Sequence, residues 1–446
     1  MSLISEWCSR IKRTKRGNDT LRRVPFWYTP ALRAFERLSR APLEARRAFS
    51  EKRLERVLAA ARRTPYGRRV GGGLRIDDWP LLEKDQVRAC PYDFLACPSW
   101  RTVPASTSGT TGAPLKLFRS YSSVSAEQAA LDWLYRTLGY DPTSLRLAVL
   151  RGDYIKPPSD LTPPFWRSDA AGARLVLSTD HLSLATIEAY HRVLLEFAPD
   201  CLFTYPSALE QLCRLLRQHS LRLTVPLVVC SSEMLTTATR RLAEGVLGAE
   251  LVDYYGLAER VAFAYSFGNG GYHFLPGYAW IELIPLYRKP EGAVYEIVGT
   301  SLWNYAMPLV RYRTGDCILL PHNMSENQLD AIRFGVSVFQ EVMGRAGDAL
   351  LTPDGRVLTA MDYIPRDVEC VVRMQVVQER VDLVRVLVVA DEGFGDSQRQ
   401  QILTNARRKI PESIHIEVEQ VDALEQGAQM KTPFFITKVD RLSRSR

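Results

Sequence analysis

With 446 residues, the chain exceeds what one ordinary hydrophobic core organises, so two or more domains are expected. Its 46% hydrophobic and 24% charged residues are those of a soluble globular protein, and no apolar run approaches the roughly 18–20 residues that span a bilayer. Eight scattered cysteines form no C-x-x-C pair, which excludes a disulfide framework and suits reduced thiols in a cytoplasm, and six isolated histidines show no zinc spacing.

The net charge of +8 is unevenly spread. The first 80 residues hold 20 Lys+Arg against 8 Asp+Glu, and the remainder is slightly acidic. One reading is solvated helices whose arginine stems cover apolar surface. The other is a docking face for something acidic, such as an acyl carrier protein or a membrane. No nucleic-acid-binding module or base-stacking motif accompanies the arginines, so nucleic acid is not an expected partner. The opening MSLISEWCSRIKRTKRG places charge where a signal peptide needs an apolar core. Within it Leu3, Ile4, Trp7 and Ile11 share a helical side above KRTKRG, a pattern for peripheral membrane contact.

Residues 41–63 have helical spacing, with Phe49, Leu54, Val57 and Leu58 along one side. TPYG breaks that pattern, and GGGLRIDDWPLLEKDQV reads as a loop followed by a short helix. Further on, the apolar bursts LRLAVL, ARLVLS, CLFTY and LRLTVPLVVC alternate with the helical stretches SLATIEAYHRVLLEF, PSALEQLCRLLRQH and TTATRRLAEGVLG. Short β-rich runs alternating with longer helices predict a parallel α/β sheet. From about residue 293, GAVYEIVGTSL and PLVRYRTGDCILL read as antiparallel strands. A second compact unit follows: two strands in MQVVQERVDLVRVLVVA, a helix in SQRQQILTNARRKI and a strand in IHIEVEQVDAL. The glycine-rich stretch 344–356 is the candidate hinge, and no internal repeat is present.

Between the first helices and the α/β alternation lies TSGTTGAPLK, residues 107–116. It is not a P-loop, because Gly112 is followed by Ala113 and Pro114 rather than by lysine. The composition still suits phosphate. Gly109 and Gly112 let backbone N–H groups face an anion, Thr107, Ser108, Thr110 and Thr111 offer hydroxyls, and Lys116 adds a charge.

Downstream, in order, stand ELVDYYGLAERVAF (250–263), MPLVRYRTGDCILL (307–320) and MGRAGDALLTPDGR (343–356). Together with the loop, they resemble the adenylate-forming superfamily of acyl-CoA synthetases, peptide-synthetase adenylation domains and luciferases. The likeness is greatest to phenylacetate–coenzyme A ligases and their relatives among capsular polysaccharide biosynthesis proteins. WPLLEKDQVR, FTYPSALEQL and SSEMLT match that branch too, so the resemblance spans residues 75–440.

The resemblance implies an α/β fold: a large domain of parallel α/β layers with a small β-barrel-like part, then a small mobile α+β domain. The expected boundaries are a basic helical region at 1–75, the large adenylation domain at 76–347 and the small domain at 348–446. It also implies that a carboxylate attacks the α-phosphate of ATP to give an acyl-adenylate and pyrophosphate, and that the acyl group then passes to a thiol or amine. The loop 107–116 would hold the β- and γ-phosphates, and Glu259 would coordinate Mg²⁺. Tyr255 would stack on adenine beside Tyr254 and Gly256, with Asp253 near its amino group and Ser231, Ser232 and Glu233 along its edge. Asp316 would take the ribose hydroxyls, Arg345 would reach the ribose region and Asp348 would be the pivot.

The chain departs from the family pattern at three places. Ala258 stands where the family has Thr or Ser, Gly347 replaces an acid beside the hinge, and the C-terminal catalytic lysine lacks its preceding glycine. Lys431, after Met430, is the best match for that lysine, with Lys438 its rival. His273 in GGYHF matches a segment that binds zinc in some relatives, but no cysteine is near, so zinc is not expected.

The acyl pocket is expected from RGDYI (151–155), FTYPS (203–207) and the residues flanking YYGLAE, with Asp153, Tyr154, Tyr205, Gly256 and Ala262 as its candidates. Tyrosines and small residues suit an aromatic or short acid. Asp153 would favour an amino- or hydroxy-substituted substrate, unless it is a surface turn residue. The acceptor implied most often is coenzyme A, and a phosphopantetheinyl carrier protein or an amine stays open. A non-catalytic nucleotide-binding relative is the alternative of a different class.

Overall fold

The computed structural model describes residues 22–106, 115–151, 153, 155–157, 160–168, 172–233, 235–268, 270–343, 350–353, 357–358, 364–365, 368–407, 410–425 and 434–439. By its internal contacts the chain divides into two units, the smaller built mainly on residues 342–446 with the short stretch 315–318.

The larger unit opens with helices α1 (Pro25–Ser39) and α2 (Leu43–Ala61), then the short α3 (Pro65–Arg69) and α4 (Lys84–Ala89). A hairpin of β1 (Val103–Ser106) and β2 (Lys116–Arg119) flanks the hydroxyl-rich loop, and α5 (Tyr121–Thr137) follows. Helix α1 is tied to α5 through the fully buried Asp132. Its carboxylate accepts from Arg23 Nε and Nη2 at 2.7 and 2.8 Å, from the Tyr28 hydroxyl at 2.7 Å and from Gln128 at 2.8 Å. A buried carboxylate is tolerated only when its lone pairs are filled in this way.

The α/β alternation predicted from the sequence is present. Strands β3 (Leu147–Arg151), β4 (Trp166–Ser168), β5 (Arg174–Ser178), β6 (Cys201–Thr204), β7 (Leu227–Ser231), β8 (Glu250–Gly256), β9 (Phe263–Phe267) and β10 (His273–Phe274) form one sheet. Its order is β10-β9-β8-β7-β6-β3-β5-β4, parallel from β5 to β8 with antiparallel strands at both edges. All five residues of β7 are buried, as a central parallel strand requires.

Helices α6 (Ile187–Phe197), α7 (Pro206–Gln218) and α8 (Thr237–Leu247) supply the connections. Leu209, Leu212 and Leu216 give α7 a buried stripe, and Pro206 starts it where a missing N–H is harmless. Thr236 caps α8 by accepting from the Thr239 amide, and Gly248 ends it in a left-handed conformation.

The strands expected to form a barrel-like part make a four-stranded sheet of β11 (Ala279–Lys289), β12 (Gly292–Ser301), β13 (Tyr312–Leu320) and β14 (Val342–Met343). Helix α9 (Glu326–Arg333) follows β13. In the smaller unit, β15 (Leu350–Leu351) and β16 (Val357–Leu358) pair. Strands β17 (Val371–Arg380), β18 (Leu383–Ala390), β19 (His415–Gln420) and β20 (Phe435–Thr437) form a sheet in the order β19-β18-β17-β20. Alternate residues Val384, Val386 and Val388 meet Ile402 and Ala406 of α10 (Asp396–Arg407) in its core.

Among the described residues no helix is long and apolar enough to cross a membrane, and the described cysteines are all free. The N-terminal segment read as a membrane-contact pattern lies outside the described residues.

Candidate active site

The chain leaves β3, crosses to β5 on one side, and returns to β6 on the other. That reversal makes a topological switch point, and crevices in open α/β sheets form at the carboxyl ends of the strands beside it. Ser231, Ser232, Glu233, Tyr205 and the candidates of β8 lie along this edge, and Glu259 and Ala262 lie in the segment after β8.

After β7, Ser231 is buried and Ser232 adopts a left-handed φ of 73°. Glu233 Oε2 accepts from the Ser207 amide at 2.9 Å, so a carboxylate sits on the first turn of α7, where backbone N–H groups have no helical partner. Its Oε1 is buried without a hydrogen-bond partner among the described residues.

On β8, Asp253 Oδ2 accepts from the Tyr272 hydroxyl, and Oδ1 is likewise buried without a partner. Burial pushes the Asp253 carboxyl up to about 6, against the opposing pull of the Tyr272 hydrogen bond and the Arg240 charge. The folded chain therefore holds this proton more tightly than the unfolded chain. Stability falls as pH rises from the ordinary carboxylate range through 6, then levels. Asp253→Asn, neutral throughout, is expected to gain on the wild type across that window by ~3 kcal/mol at most. Urea melts at pH 4, 5, 6 and 7 check it, and a pH-independent difference would refute it.

Next to Asp253, the Tyr254 ring stacks on Phe203 and Phe263 at 6.1 and 5.2 Å. Gly256 ends the strand opposite Phe263, beside the buried Ala262.

The segment after β8 is fixed by charge and by close backbone approach. Arg119 Nη2 donates to the Ala258 carbonyl at 2.6 Å, and burial lowers that guanidinium to about 10. Arg260, with a left-handed φ of 58°, donates to the Ser123 carbonyl at 2.7 Å. Gly299 of β12 lies so near that a Cβ there would come within 2.0 Å of the Val261 carbonyl oxygen. Between these anchors, the buried Glu259 takes the Tyr312 hydroxyl at 2.8 Å and Lys84 Nζ at 3.5 Å, both on Oε1.

A buried carboxylate whose contacts among the described residues fall on Oε1 suits Mg²⁺, which binds one or two carboxylates and completes its shell with phosphate oxygens and water. It does not make an all-protein cage, and among the described residues no cluster of three acidic, cysteine or histidine side chains would hold a metal.

The other candidates are spread more widely. Lys116 is exposed, with Nζ 2.6 Å from the Tyr92 hydroxyl and 4.8 Å from its ring centre. Asp153 pairs with Arg167 at 3.0 Å at the surface. Tyr205 stands at the end of β6 under the Arg151 guanidinium, 4.4 Å away. Asp316 is buried on β13. His273 Nδ1 lies 3.2 Å from the Gly335 carbonyl.

Thr107, Ser108, Gly109, Thr110, Thr111, Gly112, Tyr154, Arg345, Asp348 and Lys431 lie outside the described residues. Lys84, Arg119, Arg151 and Tyr312 were not singled out from the sequence. Of these, Lys84 and Tyr312 lie in segments quoted for the resemblance, and Arg151 opens RGDYI, a segment from which the acyl pocket is expected; Arg119 had no signal.

Residues 350–438 match the CapK C-terminal domain family. Protein CapK of Staphylococcus aureus is 22% identical over 75% of this chain and 73% of its own length. Phenylacetate-coenzyme A ligase of Thermus thermophilus is 26% identical over 75% of this chain and 76% of its own. Among solved structures, 2-hydroxyisobutyryl-CoA ligase in its postadenylation state superimposes with a TM-score of 0.61 at 16% identity. That match covers 88% of this chain and 89% of the other. The fold is therefore that of an adenylate-forming ligase. In sequence the chain is similar to phenylacetate-coenzyme A ligase and protein CapK over three quarters of its length, and residues 350–438 carry the CapK-type C-terminal domain.

Proposed function

We propose that the chain activates a carboxylic acid with ATP, releasing pyrophosphate, and passes the acyl group from the adenylate to the thiol of coenzyme A. The observation that carries this reading is the pair of buried carboxylate oxygens, Asp253 Oδ1 and Glu233 Oε1, that have no hydrogen-bond partner among the described residues, on and just beyond neighbouring strands of the sheet. Buried acceptors without donors are costly, and the exocyclic amino group of adenine is a donor of the right kind. Tyr255 and Gly256 close the same strand and would cover the base, with Ser231 and Ser232 beside it.

The loop 107–112 and Lys116 would hold the β- and γ-phosphates, Asp316 and Arg345 would hold the ribose, and Asp348 would be the pivot of the small domain. Glu259 would hold Mg²⁺, which supplies charge neutralisation on the phosphate oxygens. Lys431 would hold the attacking carboxylate against the α-phosphate, so that the two anions meet at a cation rather than repel. Asp153, Tyr154, Tyr205, Gly256 and Ala262 would line the acid's pocket. The free thiols and the cofactors used fit a cytoplasmic enzyme.

A carrier-protein thiol is the second reading for the acceptor. Lys52, Arg56, Arg62 and Arg63 are exposed and basic along α2 and just after it, a surface that would steer an acidic partner.

The test is acid-dependent exchange of radiolabelled pyrophosphate into ATP across aryl, amino-aryl and short aliphatic acids, followed by thioester formation on adding coenzyme A. Exchange with one acid class supports the reading, and ATP binding without exchange under any acid refutes it. A second expectation concerns pH. Once protonated, Asp253 loses acceptor capacity, so KM for ATP should rise several-fold as pH falls through about 6. In Asp253→Asn that acid-side rise should disappear, which pH profiles of the exchange rate would check.

A further inference from the structure

Arg151 closes β3 at the topological switch point. Its guanidinium carbon lies 4.5 Å from the ring centre of Phe203 and 4.4 Å from that of Tyr205. Nη2 donates to Ser232 Oγ at 2.9 Å, and Nε is buried without a hydrogen-bond partner among the described residues. Ser232 itself holds a left-handed backbone conformation that a serine adopts only at a cost, and such strain concentrates where a side chain has to be aimed.

We propose that Arg151 is a specificity-determining residue that binds a second anionic group on the acid, a carboxylate or phosphonate remote from the carboxylate that is activated. This rests on reading the chain as an acid-activating enzyme. Aromatic contacts hold the guanidinium plane and leave its N–H edge for hydrogen bonding. Five donors are available on that edge and Ser232 accepts one.

A guanidinium cannot shed its proton, so a partly buried one calls for an anion, and its fork matches a carboxylate or phosphonate through two parallel bonds. None of the described carboxylates forms an ion pair with it. Glu233, next in sequence to Ser232, is engaged at the start of α7, and Asp153 is taken by Arg167. The phosphates of ATP and the activated carboxylate have their own cations in the loop and in Lys431 under the proposed function, which leaves this cation for the far end of the substrate.

The experiment pairs acids of one skeleton with and without a second anion, phenylacetate with 4-carboxyphenylacetate and butyrate with glutarate. Wild type and Arg151→Gln are compared by pyrophosphate exchange, and by calorimetric titration of the acids alone. The wild type should prefer one of the dianionic acids over its partner by about tenfold or more. Arg151→Gln should lose about 100-fold in kcat/KM for that dianion, with the monoanion changed by less than about threefold.

Equal losses for both members of a pair, or a wild-type preference for both monoanions, would overturn the proposal. If exchange is absent with every acid, the proposed function fails, and calorimetry still decides the role of Arg151. Binding of a dianion that Arg151→Gln abolishes supports it, and no binding, or equal binding by both proteins, overturns it. Arg151→Lys serves as the folded control should the glutamine variant melt early. It keeps the charge and loses the fork, so it should retain part of the dianion preference.

Discussion

Glu259→Gln should lower acid-dependent pyrophosphate exchange by roughly 10²–10³-fold while leaving the chain folded. The amide oxygen of glutamine can still accept from the Tyr312 hydroxyl and lie beside Lys84, so the local packing around this buried position survives. What disappears is the negative charge, and with it the only carboxylate that the proposed function assigns to Mg²⁺. The loss should therefore come with a higher magnesium requirement, read by titrating the metal at fixed ATP. Tyr312→Phe separates charge from scaffolding. It deletes the 2.8 Å hydrogen bond and keeps the carboxylate, so its exchange rate should stay within about tenfold of wild type. A glutamine variant with near-wild-type exchange and an unchanged magnesium response would reduce Glu259 to a structural partner of Lys84.

That pair of variants also marks what could be read from the chain and what could not. The α/β alternation was legible because each strand–helix unit declares itself locally. LVVCS is continuous and apolar, and PSALEQLCRLLRQ carries leucines at helical spacing behind a proline start. Residues such as Glu259 and Asp253 became candidates because their segments occur in a fixed order.

The partners were not legible in this way. Lys84 precedes Glu259 by 175 positions, and Tyr312 follows it by 53, so only the folded backbone brings them to one carboxylate. Arg151 opens RGDYI, a segment from which the acyl pocket is expected, but nothing local gave the arginine itself a role. Its meaning comes from Phe203 and Tyr205 on the adjacent strand and from Ser232 one strand further on, a neighbourhood set by sheet order rather than by spacing. Asp153, drawn from the sequence as a pocket residue, pairs with Arg167, a partner that no sequence spacing announced. Helix α5 was not predicted, since its buried serines and alanines blur the apolar stripe that periodicity needs.

The second large effect is expected at the C-terminal lysine. Lys431→Ala should lose roughly 10²–10³-fold in pyrophosphate exchange, and the two rival lysines should separate cleanly. Lys438 follows β20, and its ammonium lies 2.9 Å from Glu379 and 3.1 Å from Glu425. The hydrogen bond to Glu379, with Glu425 in support, raises its pKa, the mark of a cation already satisfied. An ammonium held by two carboxylates would have to break both contacts to serve a phosphate. Lys438→Ala should accordingly leave exchange within about twofold. Because the triad is partly exposed and screened by solvent, it should cost no more than ~1 kcal/mol of stability.

The Lys431 effect should also be confined to one half-reaction. The bridge between an incoming carboxylate and the α-phosphate is needed to form the adenylate, and thioester formation starts from an adenylate already made. Supplied with synthetic acyl-adenylate and coenzyme A, Lys431→Ala should form thioester at close to the wild-type rate. Equal damage to both half-reactions would point to misfolding of the small domain, and a loss in Lys438→Ala instead would transfer the role to the rival.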